Sequence, residues 1–446
     1  MSIESRNPAP ASPGDAPPGR TPVAALRHRD FRTYWTGSVI SSIGSQFTSV
    51  AIAWQIYEIT NSPLQLGLIG LARGGPTLVL LLFGGLLADA INRRKLMMLT
   101  QIGQMCVSAS LVLCTFAGVI SPPVLYGASV LLALFGSFEN PARQAMVPNL
   151  VPRHELTNAL ALNSSQRQVA TIVGPSLAGL VLAAAGPVLC YAVDASSWLA
   201  MLAALLIMRP TAQIAAGRRA VSLQSLRQGL AFVWAHPVIL SLMALDFGQN
   251  FFGNSRALLP IYARDILEVG PQGLGLLYTA TSFGALGMAA FISVRPQVRR
   301  AGMCVLASVA VYGVFMALFA ISHTFWLSFL MLAGAGASNS LSNVLRGTIN
   351  QLITPDELRG RVTSVNSMFT NTGPQLGQFE AGTLASVVGA EGATLAGGLF
   401  VGALAVGLAT GTVSVRRFEI GAVHRADATP APDRAVRVER TGSGVR

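Results

Sequence analysis

Charged residues are scarce in this chain. Only 11% of its 446 residues are Asp, Glu, Lys or Arg, well under the about 25% that a water-facing domain carries. That shortage excludes a soluble body as the bulk of the molecule. Acids are scarcer than bases, 19 against 31, for a formal net charge of +12. The surplus does not describe a nucleic-acid surface, because the Arg residues stand in short clusters between apolar runs. Cysteine is limited to Cys106, Cys114, Cys190 and Cys304, each inside an apolar run and without paired spacing. A disulfide framework and a thiolate metal site are both excluded, and the four read as small hydrophobes. The five histidines (His28, His154, His236, His323 and His424) form no His-x-x-x-His pair, so no metal is expected. No Gly-rich phosphate loop ends in Lys-Ser/Thr and no nucleophile elbow is present. The expectation is therefore no enzyme, no cofactor and no use of ATP.

What the chain has in abundance is long apolar runs, near 34–57, 66–90, 96–120, 123–147, 158–184 and 187–208, then 237–262, 272–293, 302–322, 324–349, 362–388 and 392–415. Each is long enough to cross a hydrocarbon layer, which takes roughly 20 helical residues. Backbone in lipid is affordable only as helix or closed barrel, and strict alternation, the mark of barrel strands, is missing. The expected fold is an all-α membrane protein of twelve transmembrane helices in two six-helix pseudo-symmetric halves, 33–208 and 237–415. A polar linker, 209–236, would join them. Residues 1–32 and 416–446 read as disordered tails, the first Pro-, Ala- and Ser-rich and lacking the apolar core of a signal peptide.

The connections give the orientation. Basic residues fill alternate ones: Arg27, Arg29 and Arg32 before the first run; Arg93, Arg94 and Lys95; Arg143 and Arg153; Arg209, Arg218, Arg219 and Arg227; Arg295, Arg299 and Arg300; Arg359 and Arg361; and Arg416 with Arg417. The remaining connections hold a single one, Arg264. The positive-inside rule puts both termini and every basic connection in the cytoplasm of a multi-pass plasma-membrane protein. Two six-helix halves around a midplane site are transporter architecture. The expected partners are the bilayer and a small-molecule substrate, and not nucleic acid.

Residues 84–95, GGLLADAINRRK, resemble the signature loop of the major facilitator superfamily, with Gly85, Asp89, Arg93 and Arg94 matching. Ala90 and Asn92 depart from it. Gly85 permits close helix approach, and Asp89 would form a cytoplasmic latch, with Arg143 a further partner. VGPSLAG, carrying Gly174, Pro175 and Gly179, resembles the Gly-Pro signature of the drug–proton antiporters, and TGPQLGQFEAG repeats it with Gly373, Pro374 and Gly377. Segments 46–63, 140–165 and 256–277 are similar to the branch holding enterobactin exporters, macrolide-efflux proteins and transmembrane secretion effectors. The resemblance spans about residues 24 to 415. It implies efflux, and the superfamily's habit implies a monomer.

Ionisable groups inside spans are expensive and each needs a reason. Asp246 is the leading coupling candidate, about 13 Å deep at 1.5 Å per residue, with Asn250 and Asn254 on the same helix face; a fixed interhelical contact is the competing reading. Glu139 with Arg143 at i,i+4 reads first as an ion pair. Glu139, Glu380 and Asp194 are further proton candidates, and Asn250, Asn254 and Asn343 are candidates for a substrate cavity. Arg73 and Arg167, with Asn163 one turn before Arg167, are candidates for a substrate cavity; structural ion pairing is the other reading. Asn339, Ser342, Asn343 and Arg346 form a polar stripe that either lines a wet cavity or bonds neighbouring helices. The function expected is proton-coupled export of a drug, siderophore or metabolite by alternating access. An uncoupled facilitator or importer, and a non-transporting sensor or secretion partner, are the alternatives.

Overall fold

The computed structural model describes residues 23–88, 93–209, 223–294, 300–416 and 418, and among these it is helical with no strand. In chain order the helices are α1 (Arg29–Thr60), α2 (Pro63–Ala88), α3 (Arg93–Phe116), α4 (Pro122–Met146), α5 (Leu156–Ile207), α6 (Leu223–Ala235), α7 (Pro237–Phe252), α8 (Leu259–Ile261), α9 (Gly270–Val294), α10 (Ala301–Ala320), α11 (Phe325–Ile353), α12 (Asp356–Gly411) and α13 (Val413–Arg416). Proline opens α2, α4 and α7, where its missing N–H costs nothing and its fixed φ suits the first turn. At its far end α1 stops at Asn61, whose φ of 47° turns the chain while its N–H bonds the Tyr57 carbonyl.

Two helices are too long for one crossing. α5 has 52 residues and α12 has 56, whereas about 20 span a bilayer. Each is broken once, at Gly186 (φ 74°, ψ −176°) and at Gly389 (φ 79°, ψ 166°). That backbone conformation is open to glycine and essentially closed to residues bearing Cβ. The breaks fall in the gaps between the apolar runs, at 185–186 and 389–391. Six helices, α5 and α12 among them, are long and apolar enough to cross a membrane; the bent pair Arg227–Ala235 and Pro237–Ile266 makes seven. Large apolar side chains lie bare on the outer faces, such as Leu113, Phe116, Leu206, Trp326 and Leu330. A soluble surface avoids such a belt, and lipid accommodates it.

Two expectations need correction. Residues 24–32, read as part of a disordered tail, form a 3-10 turn and the first turn of α1. Apolar side chains anchor them: Ala25, Phe31 and Tyr34 are fully buried in a cluster with Met97, Val147 and Leu205, and the Ala25 N–H donates to Asn158. The run expected as one helix over 237–262 breaks after Phe252. Asn254 there accepts the Arg256 N–H and donates to the Pro374 carbonyl, and the chain continues through a 3-10 turn, α8 and a π-turn at Tyr262–Ile266.

The packing sets the site. α1 lies along α5, α3 against α4 and α5, α9 against α11, and α7 and α10 against α12. The portion up to Met208 meets the portion from Leu223 onward chiefly where α2 packs on α12 and α5 on α9. One apolar cluster bridges them, joining Ile52, Ile56, Leu66 and Tyr191 to Leu258, Tyr262, Leu274 and Phe319. The other clusters each stay within one portion. The bridging residues gather at the end away from the arginine-bearing connections.

Candidate substrate cavity

Along that seam the backbones nearly touch. A Cβ on Gly382 would lie 2.5 Å from the Gly67 Cα, and one on Gly179 would lie 2.9 Å from the Gly275 Cα. Only glycine permits such an approach. Hydroxyls of Ser176 and Thr279 meet at 2.7 Å across it. Beyond them Tyr57 donates to Asp265, and Arg264 donates to Asn61 at 2.9 Å with its guanidinium 5.6 Å from the Tyr57 ring centroid. This end is shut.

Toward the basic end the portions separate around a cavity of about 1060 Å³. It is lined mostly by the first portion: Thr48 and Ser49 from α1, Arg73 from α2, Gln104 from α3, Asn140 and Arg143 from α4, and Asn163, Arg167 and Asp194 from α5. α12 contributes Asn371 and Gln375. A polar wall inside a bundle whose outside is apolar is the mark of a water-filled path.

Asp194, 1% exposed, is the cavity's only acid. Its Oδ2 accepts from Thr48 at 2.6 Å and from Ser108 at 2.7 Å. Among the described residues no cation pairs with it. Arg73 and Arg167 lack a carboxylate partner in the same way; Arg167 donates only to Ser164, at 3.2 Å. Arg143 is neutralised by Glu139, which also accepts from Gln104 at 2.8 Å, so the sequence-predicted i,i+4 pair is present. Asn163 is buried in the wall with a free carbonyl oxygen.

Other candidates lie elsewhere. Asp246 is buried in the second portion, where Oδ1 accepts from Arg346 at 2.7 Å and Asn250 at 3.0 Å and Oδ2 from Thr370 at 3.1 Å. Asn343 also accepts from Arg346 and donates to Asn339. The helical stripe thus serves an ion pair between α7 and α11. Glu380 is half-buried on α12, outside the cavity lining. The first Gly-Pro motif faces α1 and α9, with Gly174 against Gln46; the second faces α7, with Gly377 against Asn250 and Phe251 and Gly373 beside Asn250. Pro175 and Pro374 sit within α5 and α12. Gly85 belongs to α2, while Asp89, the acid of the expected latch, lies outside the described residues. Arg93 opens α3. Arg94 donates to the Leu205 and Leu206 carbonyls at the end of α5, where a cation complements the helix dipole. Thr48, Ser108 and Gln375 were not singled out in the sequence. The one available signal for Thr48 was the polar run at 41–49 on α1.

A bundle of apolar-faced helices, closed at one end and opening on a polar cavity at the other, is a membrane transporter of the major facilitator type. The chain belongs to the transmembrane secretion effector family of that superfamily, whose sequence profile matches residues 20–445. It is 28% identical over 395 residues to the enterobactin exporters (EntS) of Shigella boydii serotype 18 and of Escherichia coli O81, covering 88% of this chain and 94% of each of theirs. Among solved structures it is similar to a bacterial homologue of the iron transporter ferroportin in an inward-facing state (17% identity, 85% and 98% of the two chains, TM-score 0.67). A bacterial homologue of the lysosomal transporter Spinster, inward-facing and unoccupied, is similar too (15%, 85% and 96%, TM-score 0.64). At such identities the likeness is one of fold.

Proposed function

We propose that this protein is a proton-coupled exporter of small molecules, working by alternating access. The reading has twelve spans in two six-helix halves, α5 and α12 each counting twice across their glycine breaks, with both termini cytoplasmic and the plasma membrane as its location. It acts as a monomer and needs no bound cofactor. The observation that carries it is the cavity: it opens at the arginine-rich end, which the positive-inside rule places in the cytoplasm, and is sealed at the other by the glycine seam. A substrate entering from the cytoplasm would meet Asn163, Arg167, Arg73 and Asp194. The resemblance to enterobactin exporters supports export and makes a siderophore a reasonable member of any test panel.

Asp194 is the coupling residue in this reading. A carboxylate held by two hydroxyls, with no cation paired to it among the described residues and the cavity beside it, can exchange a proton as the cavity changes sides. Asp246, the leading candidate on sequence grounds, already has a guanidinium and two further donors. Protonating it would strand Arg346 in the bundle, so it suits a fixed pair better than a cycling site.

The test measures accumulation of a panel of dyes, antibiotics and siderophores in cells lacking their own pumps. Wild type is expected to lower accumulation of at least one compound, and a protonophore or Asp194→Asn to abolish the effect. Export that persists unchanged under both would support the uncoupled facilitator. No change for any compound, together with retention of a partner protein by the purified chain, would favour the non-transporting alternative.

A further inference from the structure

We infer that the cavity selects organic anions, with the half-buried Arg73 as the inner counter-charge and Arg167 as a waiting station on the way to it. This rests on the transport reading for its purpose, but its geometry stands alone. The guanidinium-bearing residues form a staircase from the basic mouth inward. At 1.5 Å per residue, Arg143 lies about 5 Å along its helix from that end, Arg167 about 16 Å and Arg73 about 22 Å. Glu139 cancels the first. The other two line the cavity without a carboxylate partner among the described residues.

Asp194, the one acid on the wall, is already engaged by Thr48 and Ser108 and pairs with neither guanidinium. The remaining polar wall is amide and hydroxyl (Asn163, Asn371, Gln375, Ser49 and Thr77 among others), able to bond a ligand without adding charge. Above Arg73, at the shut end, Arg256 lies 5.3 Å from the Tyr278 ring centroid. Among the described residues no acid pairs with Arg256 there. Contrast the buried guanidinium of Arg346, which has Asp246 at 2.7 Å. Among the described residues Arg143 and Arg346 each have a built-in acid, whereas Arg73 and Arg167 on the cavity wall have none, so the charge that matches them has to arrive with the ligand. Arginine suits that task, because its planar fork takes carboxylate, sulfonate or phosphate oxygens in pairs. A cation of the same size would meet uncompensated positive charge in a low-dielectric site.

The experiment uses full-length protein in detergent and reads fluorescence anisotropy of carboxyfluorescein, sulforhodamine B and the size-matched cation rhodamine 6G. Either anion is expected to bind, and rhodamine 6G to bind at least tenfold more weakly. Arg73→Gln should weaken anion binding about 10- to 100-fold, the usual worth of a hydrogen bond to a charged group; Arg167→Gln should weaken it by less. Arg73→Lys should restore part of the loss, and an unchanged thermal midpoint shows that the variants fold. Anion affinity unaltered in folded Arg73→Gln, equal binding of the cation, or no anion binding to the wild type overturns the inference. Failure of the transport reading looks different. Arg73-dependent binding with no movement of the dye out of vesicles removes transport and leaves the anion site, whereas export of rhodamine 6G alone removes the anion site and leaves transport.

Discussion

The portion up to Met208 and the portion from Leu223 onward each contain one matched pair inside the bundle, Glu139–Arg143 and Asp246–Arg346, but only the first also sets unmatched charge around the cavity. In the second, Asp246 and Arg346 are joined directly, and Asn250, Thr370 and Asn343 fill the remaining bonds. In the first, Asp194, Arg73 and Arg167 face one cavity yet none is paired with another. A charge inside a membrane protein is tolerated when it is matched or when water and ligand reach it. The second portion uses the first solution and gains a fixed body. The first portion uses both, Glu139 matching Arg143 while Asp194, Arg73 and Arg167 depend on the cavity, and gains a wall whose charge state can change. The proposed alternating access would need both.

The sharpest way to break this comparison is to remove one partner from each setting. Asp246→Ala leaves Arg346 buried without its acid, and such a loss costs about 3–5 kcal/mol. Arg346→Ala is expected to cost as much. Replacing both by Leu removes the stranded charge and should recover most of the stability. Asp194→Asn keeps an oxygen for Thr48 and Ser108 and is expected to change stability by less than about 1 kcal/mol. Thermal unfolding of the purified variants decides the matter. Equal losses at 194 and 246 would mean that the two aspartates do the same structural job.

Much of this arrangement was legible in the sequence. Apolar runs predicted the helices, and the two gaps at 185–186 and 389–391 contain the glycines that bend α5 and α12. The Glu139–Arg143 pair followed from i,i+4 spacing, since helix geometry alone brings such residues together. Asp194 was less legible than Asp246, because what distinguishes them is the company they keep. Arg346 lies 100 residues from Asp246 and Thr48 lies 146 residues from Asp194. No local pattern reveals which acid meets an arginine and which meets hydroxyls. The docking of Ala25 and Phe31 was hidden for a related reason: composition marks a segment as tail-like, while burial depends on the helix ends it finds.

The next comparison concerns the seam where the portions meet. Gly382→Val would press a side chain into the Gly67 backbone, and overpacking of this kind costs about 1–3 kcal/mol. In the proposed cycle the contact is lost when that end opens, so the whole cost falls on the closed state, shifting the population about 5- to 150-fold toward opening. A cysteine at Ser176, placed where the native hydroxyl touches Thr279, reports this in a background lacking the four native cysteines. An impermeant maleimide applied from outside should label it slowly in the parent and faster with Gly382→Val. Unaltered labelling would show that the seam yields locally and that the portions do not part as bodies.

The smallest expected effect lies at the rim of the same seam. Tyr57→Phe deletes the hydroxyl that donates to Asp265 while keeping the ring on which the Arg264 guanidinium rests. The Asp265 side chain is 47% exposed, so water replaces the lost donor and the net cost is about 0.5–1 kcal/mol. Labelling at position 176 should accelerate only about two- to fivefold. Tyr57→Ala removes the ring as well, and with it the packing of a residue only 5% exposed within the cluster that bridges the two portions. Its effect should therefore exceed that of Tyr57→Phe several-fold and approach that of Gly382→Val. If Phe and Ala act alike, the hydroxyl holds the rim; if only Ala acts, the closed end is held by burial, and the polar contacts at its edge merely fix the angle at which the two portions meet.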